Sequence, residues 1–289
     1  MKKDFLSTSE LTKEEIENIF SLTEKLMKKS EPILKNKNIA LIFQKPSTRT
    51  RISFSVGINQ LGGNAITLNW NELQLGRGET VEDTTKVLER YVDCIIARVF
   101  SHEDLLKMSR ISKVPIINAL SDIEHPCQAL ADLYTIKQKK KNLKGLKIVF
   151  LGDGANNTFH SLIYACEKFD MNIVVSCHPN YKPKIKANYK IIENPKEAVK
   201  DADVLYTDVF VSMGQDSEEK QRLENLKKYQ LNLELLKLAK KDAIVMHPLP
   251  AHRGVEITSD VIDSKQSVVW DEVENRLHVQ KAILYLLMK

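Results

Sequence analysis

Short aliphatic runs separated by helix-length stretches constrain this chain more than any other feature. Residues 39–43 (IALIF) are apolar on both faces of any strand they form, and comparable runs follow at 65–68, 94–98 and 114–119. Helical patterning fills the gaps. Thr12-Lys13-Glu14-Glu15 reads as a capping box opening a helix toward Lys28, with Ile16, Ile19, Phe20 and Leu26 as its apolar face. Residues 80–91 and 102–112 read as further helices. Parallel strands need a crossover of about a dozen residues, usually a helix, so this alternation predicts a parallel α/β sheet.

The pattern restarts midway. His125-Pro126-Cys127-Gln128 precedes a long helix predicted from 129 to about 141, which ends in lysines and then Gly145. A new strand is expected at 146–151, and others at 172–176, 203–207, 243–247 and 267–270. The expected organisation is therefore two doubly wound parallel-sheet domains, 1–141 and 142–271. A last helix, 272–289, packs back on the first domain. A length of 289 residues suits about two domains.

Chemistry concentrates where strands end. After the run at 39–43 comes Lys45-Pro46-Ser47-Thr48-Arg49-Thr50-Arg51, and Ile52, Phe54, Val56, Ile58 and Leu61 carry a helix on to Gly62-Gly63. Hydroxyls, two arginines and the N–H groups of a first helical turn suit an oxyanion, phosphate above all. An isolated S-T-R triplet would be a solvated basic cap, but two arginines among three hydroxyls favour the anion site. Arg98, His125 with Gln128, Asp153 to Asn157, Asp208 and His247-Pro248-Leu249-Pro250 fall at other strand ends. Singly, Arg98 reads as an ion-pair partner, His125 as a helix cap and Asp208 as a turn cap. Their shared position gives them a functional reading. Gly152-Asp153-Gly154 lacks the third glycine of a dinucleotide fingerprint, which argues against a nucleotide-dependent oxidoreductase.

Composition narrows the partners. The net charge of +5 comes from 43 basic residues interspersed with 38 acidic ones, and aromatics are only 7%. The basic run at 137–144 has no aromatic residues interleaved for base stacking, so nucleic acid is not expected. No apolar run reaches the ~20 residues of a membrane span, and Met1-Lys2-Lys3-Asp4-Phe5 is not followed by a signal-peptide core. Cys94, Cys127, Cys166 and Cys177 lack C-x-x-C spacing and read as reduced thiols, so a cytoplasmic protein is expected.

P-S-T-R-T-R, H-P-C-Q and H-P-L-P, in this order, resemble the aspartate/ornithine carbamoyltransferase family over nearly the whole chain. Gln74 to Glu79 (QLGRGE), Gly152-Asp153-Gly154 with Asn156-Asn157, Asp208 to Gly214 (DVFVSMG) and Glu274-Asn275-Arg276 are similar to its ornithine branch. The resemblance implies two α/β domains with the active site in the cleft between them. It implies transfer of the carbamoyl group of carbamoyl phosphate to the δ-amine of L-ornithine, giving L-citrulline and phosphate, as in arginine biosynthesis or related arginine metabolism. Ser47, Thr48, Arg49 and Thr50 would hold the phosphate, with Arg276 reaching back to it. Arg98, His125 and Thr50 would surround the carbonyl oxygen, and Gln128 would contact the carbamoyl nitrogen. Arg49, Arg98 and His125 are the implied catalytic groups.

Further roles follow from the same resemblance. Gln74 would complete a neighbouring subunit's site, implying a homotrimer or a higher assembly of trimers. Asn157, Asp208, Ser212 and Met213 would hold the amino-acid end of ornithine, with backbone carbonyls of Pro248 and Leu249 near the reacting amine. Neither a metal nor an organic cofactor is implied. The ornithine branch normally carries cysteine where this chain has Pro248, which leaves open another acceptor: aspartate, putrescine or a modified ornithine. A catalytically dead scaffold relative would be expected to have lost Arg49, Arg98 or His125, and all are present.

Overall fold

The computed structural model describes residues 3–212 and 214–289, so Met213 lies outside the described residues. The chain divides into two compact units, Met1–Ala131 with Asn275–Lys289, and Asp132–Glu274. Both divisions fall inside helices, where no change of composition marks them. The sequence instead places its boundary at the lysine-rich end of the first of those helices.

The first unit opens with α1 (Lys13–Lys28), whose capping box is formed by Thr12 and Glu15. Then follow β1 (Asn38–Phe43), α2 (Thr48–Gln60), β2 (Asn64–Asn69), α3 (Val81–Leu88), β3 (Cys94–Arg98), α4 (His102–Ile111) and β4 (Ile116–Leu120). Next, α5 (Pro126–Lys140) starts in this unit and ends in the second. Among the described residues the sheet is parallel with order β2-β1-β3-β4. Residues 39–43 are buried throughout, as expected of a strand covered on both faces. The chain leaves β1 toward β2 and returns to β3 on the other side, so the topological switch lies between β1 and β3.

The second unit contains β5 (Lys147–Leu151), α6 (Asn157–Glu167), β6 (Asn172–Ser176), β7 (Lys190–Ile191), α7 (Pro195–Ala198) and β8 (Val204–Thr207). It continues through α8 (Glu219–Leu226), α9 (Leu233–Leu238), β9 (Ile244–Met246) and α10 (Ser259–Ile262) into α11 (Val269–Met288), whose second half belongs to the first unit. Its parallel sheet runs β7-β6-β5-β8-β9, placing the switch between β5 and β8. No helix among the described residues is long and apolar enough to cross a membrane.

Three expectations need correction. Residues 267–270 are not a strand: Ser267 makes a single bridge to Val245, and α11 starts at Val269. The β-branched pair Val268-Val269 suggested a strand, but the acidic residues Asp271 and Glu272 fit a first helical turn. The helix after H-P-C-Q begins at Pro126, inside the motif, since proline's missing N–H costs nothing in a first turn. On α2, Phe54, Ile58 and Leu61 are buried, but Ile52 and Val56 point to the other face and are 56% and 37% exposed.

Candidate functional site

In doubly wound sheets ligands sit at the carboxyl ends of the strands, where the strand order reverses. In the first unit that point is occupied by the start of α2. Ser47 is the N-cap, its hydroxyl accepting the Thr50 N–H at 3.2 Å. Thr48 is exposed, Ser47 and Arg49 are half-buried, and Thr50 is buried. From α11, Arg276 donates Nη2–H to the Thr50 hydroxyl at 2.8 Å, so a residue more than 200 positions away joins the same loop.

Arg98 ends β3 immediately beyond a register shift against β4, between Ala97 and Arg98. Such irregularities re-aim a side chain at the end of a ladder. The Gln44 N–H donates to the Arg98 carbonyl at 2.8 Å, and the Gln44 side chain accepts the Phe100 N–H at 2.7 Å, tying the ends of β1 and β3 together.

His125 follows β4 and is 5% exposed; its carbonyl accepts the N–H groups of Gln128 and Ala129, opening α5. The preceding Glu124 accepts from the Ser7 hydroxyl and, at 3.1 Å, from the Thr8 N–H. Burial, then the charges of Arg276, Arg98 and Arg49, hold the His125 imidazole well below the usual histidine pKa. It is therefore neutral at pH 7 and can donate an N–H without bringing a positive charge. Gln128, 1% exposed, lies one turn along the same helix.

Two predicted features sit elsewhere. Arg51, the second arginine of the loop, is taken by Asn69 (2.6 Å to Oδ1) and lies over the Phe43 ring. Gln74, expected to serve a neighbouring subunit's site, is exposed on a short 3-10 turn, Gln74–Arg77. Sequence reasoning also passed over Lys45, which is buried with its Nζ 4.3 Å from the Phe100 centroid. Burial and then Arg98 lower its pKa, and its position inside the conspicuous loop was the available signal.

The second unit gathers the opposite charge. Asp208, just beyond β8, is buried; its Oδ1 accepts the Val209 N–H at 2.7 Å and its Oδ2 the Asn156 Nδ2–H at 3.0 Å. Burial raises its pKa, opposed first by His247. Asn156 also caps α6 by accepting from Thr158 and Phe159, so it holds the carboxylate and starts the helix together. Asn157, singled out from the sequence, is the half-buried first helical residue beside it.

Gly152 turns the chain out of β5 at φ +118°, and a Cβ there would lie 2.7 Å from the Phe210 ring, so the turn requires glycine. Asp153 in that turn pairs with Arg222 of α8 at 2.9 Å, both buried. Arg222 carried no sequence signal, because its partner lies 69 residues away. Ser212 is half-buried, its N–H donating to Gln215 at 2.9 Å.

The H-P-L-P segment is a turn held from behind. The Leu249 N–H donates to His247 Nδ1 at 2.9 Å, which leaves the ring proton on Nε2, 3.0 Å from Glu256 Oε1. Glu256 Oε1 also accepts the His252 N–H, and Glu272 accepts the His247 N–H at 3.0 Å. Pro248 is buried and Leu249 half-buried.

Fold and site together define a class: a two-unit α/β protein with a hydroxyl- and arginine-bearing helix N-terminus at a strand end of one unit and a buried carboxylate at a strand end of the other. Two family models match the chain, the aspartate/ornithine carbamoyltransferase carbamoyl-P binding domain over residues 3–138 and the Asp/Orn binding domain over residues 144–287. The chain belongs to the aspartate/ornithine carbamoyltransferase family. It is 50% identical over 305 residues to the ornithine carbamoyltransferase of Thermococcus kodakarensis (99% of this chain, 96% of that one). It is 48% identical over 306 residues to that of Staphylothermus marinus (99% and 98%). The solved ornithine carbamoyltransferase of Pyrococcus furiosus superposes with a TM-score of 0.93 at 48% identity, covering 99% of this chain and 96% of that one. The Thermus thermophilus structure gives a TM-score of 0.93 at 39% identity, with both chains fully covered.

Proposed function

We propose that this chain transfers the carbamoyl group of carbamoyl phosphate to the δ-amine of L-ornithine, releasing L-citrulline and phosphate. One observation carries the reading: Arg276 bonds Thr50 at the N-terminus of α2, and its charge, with those of Arg98 and Arg49, holds the buried His125 imidazole below the usual pKa at the carboxyl ends of β1, β3 and β4. Relatives named ornithine carbamoyltransferase favour ornithine over aspartate, putrescine or a modified ornithine.

Residues 1–141, with the helix 272–289, bind carbamoyl phosphate, and residues 142–271 bind ornithine. Ser47, Thr48, Arg49 and Thr50 hold the phosphate at the N-terminus of α2, where the helix dipole favours an anion. Arg276 reaches it through Thr50. The δ-amine attacks the carbamoyl carbon, the new C–N bond forming as the C–O bond to phosphate breaks. Charge developing on the carbonyl oxygen falls to Arg98 and His125, and the proton that the amine sheds passes to the departing phosphate. Gln128 orients the carbamoyl nitrogen. Preorganised donors of this kind contribute about 3–4 kcal/mol each.

Asp208 pairs the α-ammonium of ornithine, a charge that favours its ionised form. Asn157, Ser212 and Met213 complete the amino-acid subsite, with the Pro248 and Leu249 carbonyls near the δ-amine. That amine resembles lysine's, with a free pKa of ~10.4. The rate at subsaturating ornithine should therefore rise with pH from neutrality into the alkaline range. The protein acts in the cytoplasm as a homotrimer or an assembly of trimers, Gln74 serving a neighbour's site. Mixed Gln74→Ala and Arg49→Ala subunits should then recover activity in hybrids, and verified hybrids without activity would remove the shared site.

The direct test measures carbamoylation of ornithine, putrescine and aspartate in parallel. Ornithine should give the highest kcat/KM. A higher value for either of the others would replace the acceptor.

A further inference from the structure

The reaction above assigns no part to the buried pair Asp153–Arg222, yet it lies where two loops of the second unit meet. Arg222, on α8, is 6% exposed and Asp153 2%, and such residues are rarely buried without partners. Arg222 Nη1–H donates to Asp153 Oδ2 at 2.9 Å and to the Phe210 carbonyl at 3.4 Å. Its Nε–H donates to Glu218 Oε2 at 3.3 Å, and the guanidinium lies 4.5 Å from the Tyr181 ring centroid. Glu218 is largely exposed, so that pair contributes little.

Each partner of Arg222 leads toward Asp208. Asp153 Oδ1 accepts the Ala155 N–H at 3.0 Å, and its carbonyl accepts the Asn156 N–H at 3.1 Å, closing the turn after β5. Asn156 in that turn holds Asp208 Oδ2 at 3.0 Å. Phe210 follows Asp208 by two residues, and its ring packs against Gly152 at the start of the same turn. One guanidinium on α8 thus joins the turn after β5 to the segment after β8. Stability alone does not account for it, because apolar side chains of similar volume often serve as well as a buried ion pair. Holding two loops in one register does account for it.

We propose that Asp153 and Arg222 are positioning residues whose ion pair locks residues 152–156 to residues 208–212 and thereby sets the affinity for the acceptor. The kinetic effect rests on the assignment of Asp208 to ornithine, but the lock can be tested without substrate. Arg222→Met keeps an unbranched stem over Tyr181 and removes every N–H donor. Ornithine KM should rise at least tenfold, with kcat within threefold and carbamoyl phosphate affinity within twofold. The Tm should fall as well, because Asp153 is left buried without its cation.

The double variant Asp153→Asn with Arg222→Met separates position from stability. It buries neither charge, so most of the lost Tm should return. Its ornithine KM should stay at least fivefold above that of the natural protein, because the link from α8 to the turn is still missing. Amide hydrogen exchange reads the lock directly: the Val209 N–H, bound to Asp208 Oδ1, should exchange at least tenfold faster in the double variant. The amides of β5 and β8 should keep their natural rates. An ornithine KM that returned to the natural value together with the Tm would overturn the proposal, as would unchanged Val209 exchange. Should Arg222→Met not fold, the double variant decides. A natural protein that prefers another acceptor would overturn the ornithine reading and leave the exchange result standing.

Discussion

The two units use the same architecture for opposite electrostatics. At the β1/β3 switch the first unit collects Arg49, Arg98 and Arg276 around a neutral His125. Beyond the β8 strand end the second unit has the buried Asp208, and beyond β9 His247 with Glu256 on its ring and Glu272 on its backbone N–H. The proposed roles follow the sign: the first would take the anionic substrate and the second the cationic one. The difference also appears in chain order. The proposed phosphate loop is contiguous, residues 47–50, whereas the proposed amino-acid subsite is assembled from positions between 157 and 249.

This contrast breaks first at Arg98. Arg98→Ala removes a donor from the oxyanion that forms in the reaction, and losses at such positions are about 100- to 1,000-fold in kcat. Carbamoyl phosphate should still bind. A kcat within tenfold of the natural protein's would mean that charge develops elsewhere.

Arg49→Ala follows in size. A hydrogen bond to a charged group contributes about 1.5–3 kcal/mol, so carbamoyl phosphate should bind roughly 10- to 150-fold more weakly. Equilibrium binding of carbamoyl phosphate or a phosphonate analogue measures this, and unchanged affinity would dissolve the anion site. In the second unit, Asp208→Asn should lower kcat/KM for ornithine about 10- to 100-fold, the same kind of bond being lost. Carbamoyl phosphate affinity should stay within twofold. Equal damage to both substrates would show that the units do not divide the substrates as proposed.

What the sequence disclosed follows the same division. The S-T-R-T run could be read because its residues are neighbours at a strand-to-helix junction. The Thr50–Arg276 contact could not, since the two meet only through tertiary folding, and the family resemblance alone brought Arg276 in. Periodicity placed the strands of both sheets well but missed β7, two residues long and exposed at an edge. It also read 267–270 as a strand, because β-branched residues near a helix start look alike in either state. Pattern could not show that Asn156 grips Asp208, beside the Asn157 that the resemblance singles out; adjacent identical residues differ only in the direction α6 imposes on them. Arg51 looked like a second phosphate ligand until Asn69 and Phe43 were seen to hold it. Composition could not show the Tyr206–Asp132 and His247–Glu272 bonds, whose partners lie 74 and 25 positions apart in the chain.

The smallest expected effect concerns Pro248, the one departure from the ornithine branch. Proline keeps its carbonyl, which is the group proposed to face the δ-amine, and lacks only a backbone N–H. The turn's bonds do not pass through this residue: its neighbours Leu249 and His247 supply the N–H groups that bind the His247 ring and Glu272. Pro248→Cys adds a thiol and one N–H to a buried site and leaves those ties in place. Turnover or ornithine affinity should change by about tenfold or less, equivalent to ~1.4 kcal/mol. Steady-state kinetics with ornithine, putrescine and aspartate on both proteins sharpen the point. Ornithine activity that appeared only after the substitution would mean that the carboxylates of the second unit receive a different cation in the natural protein.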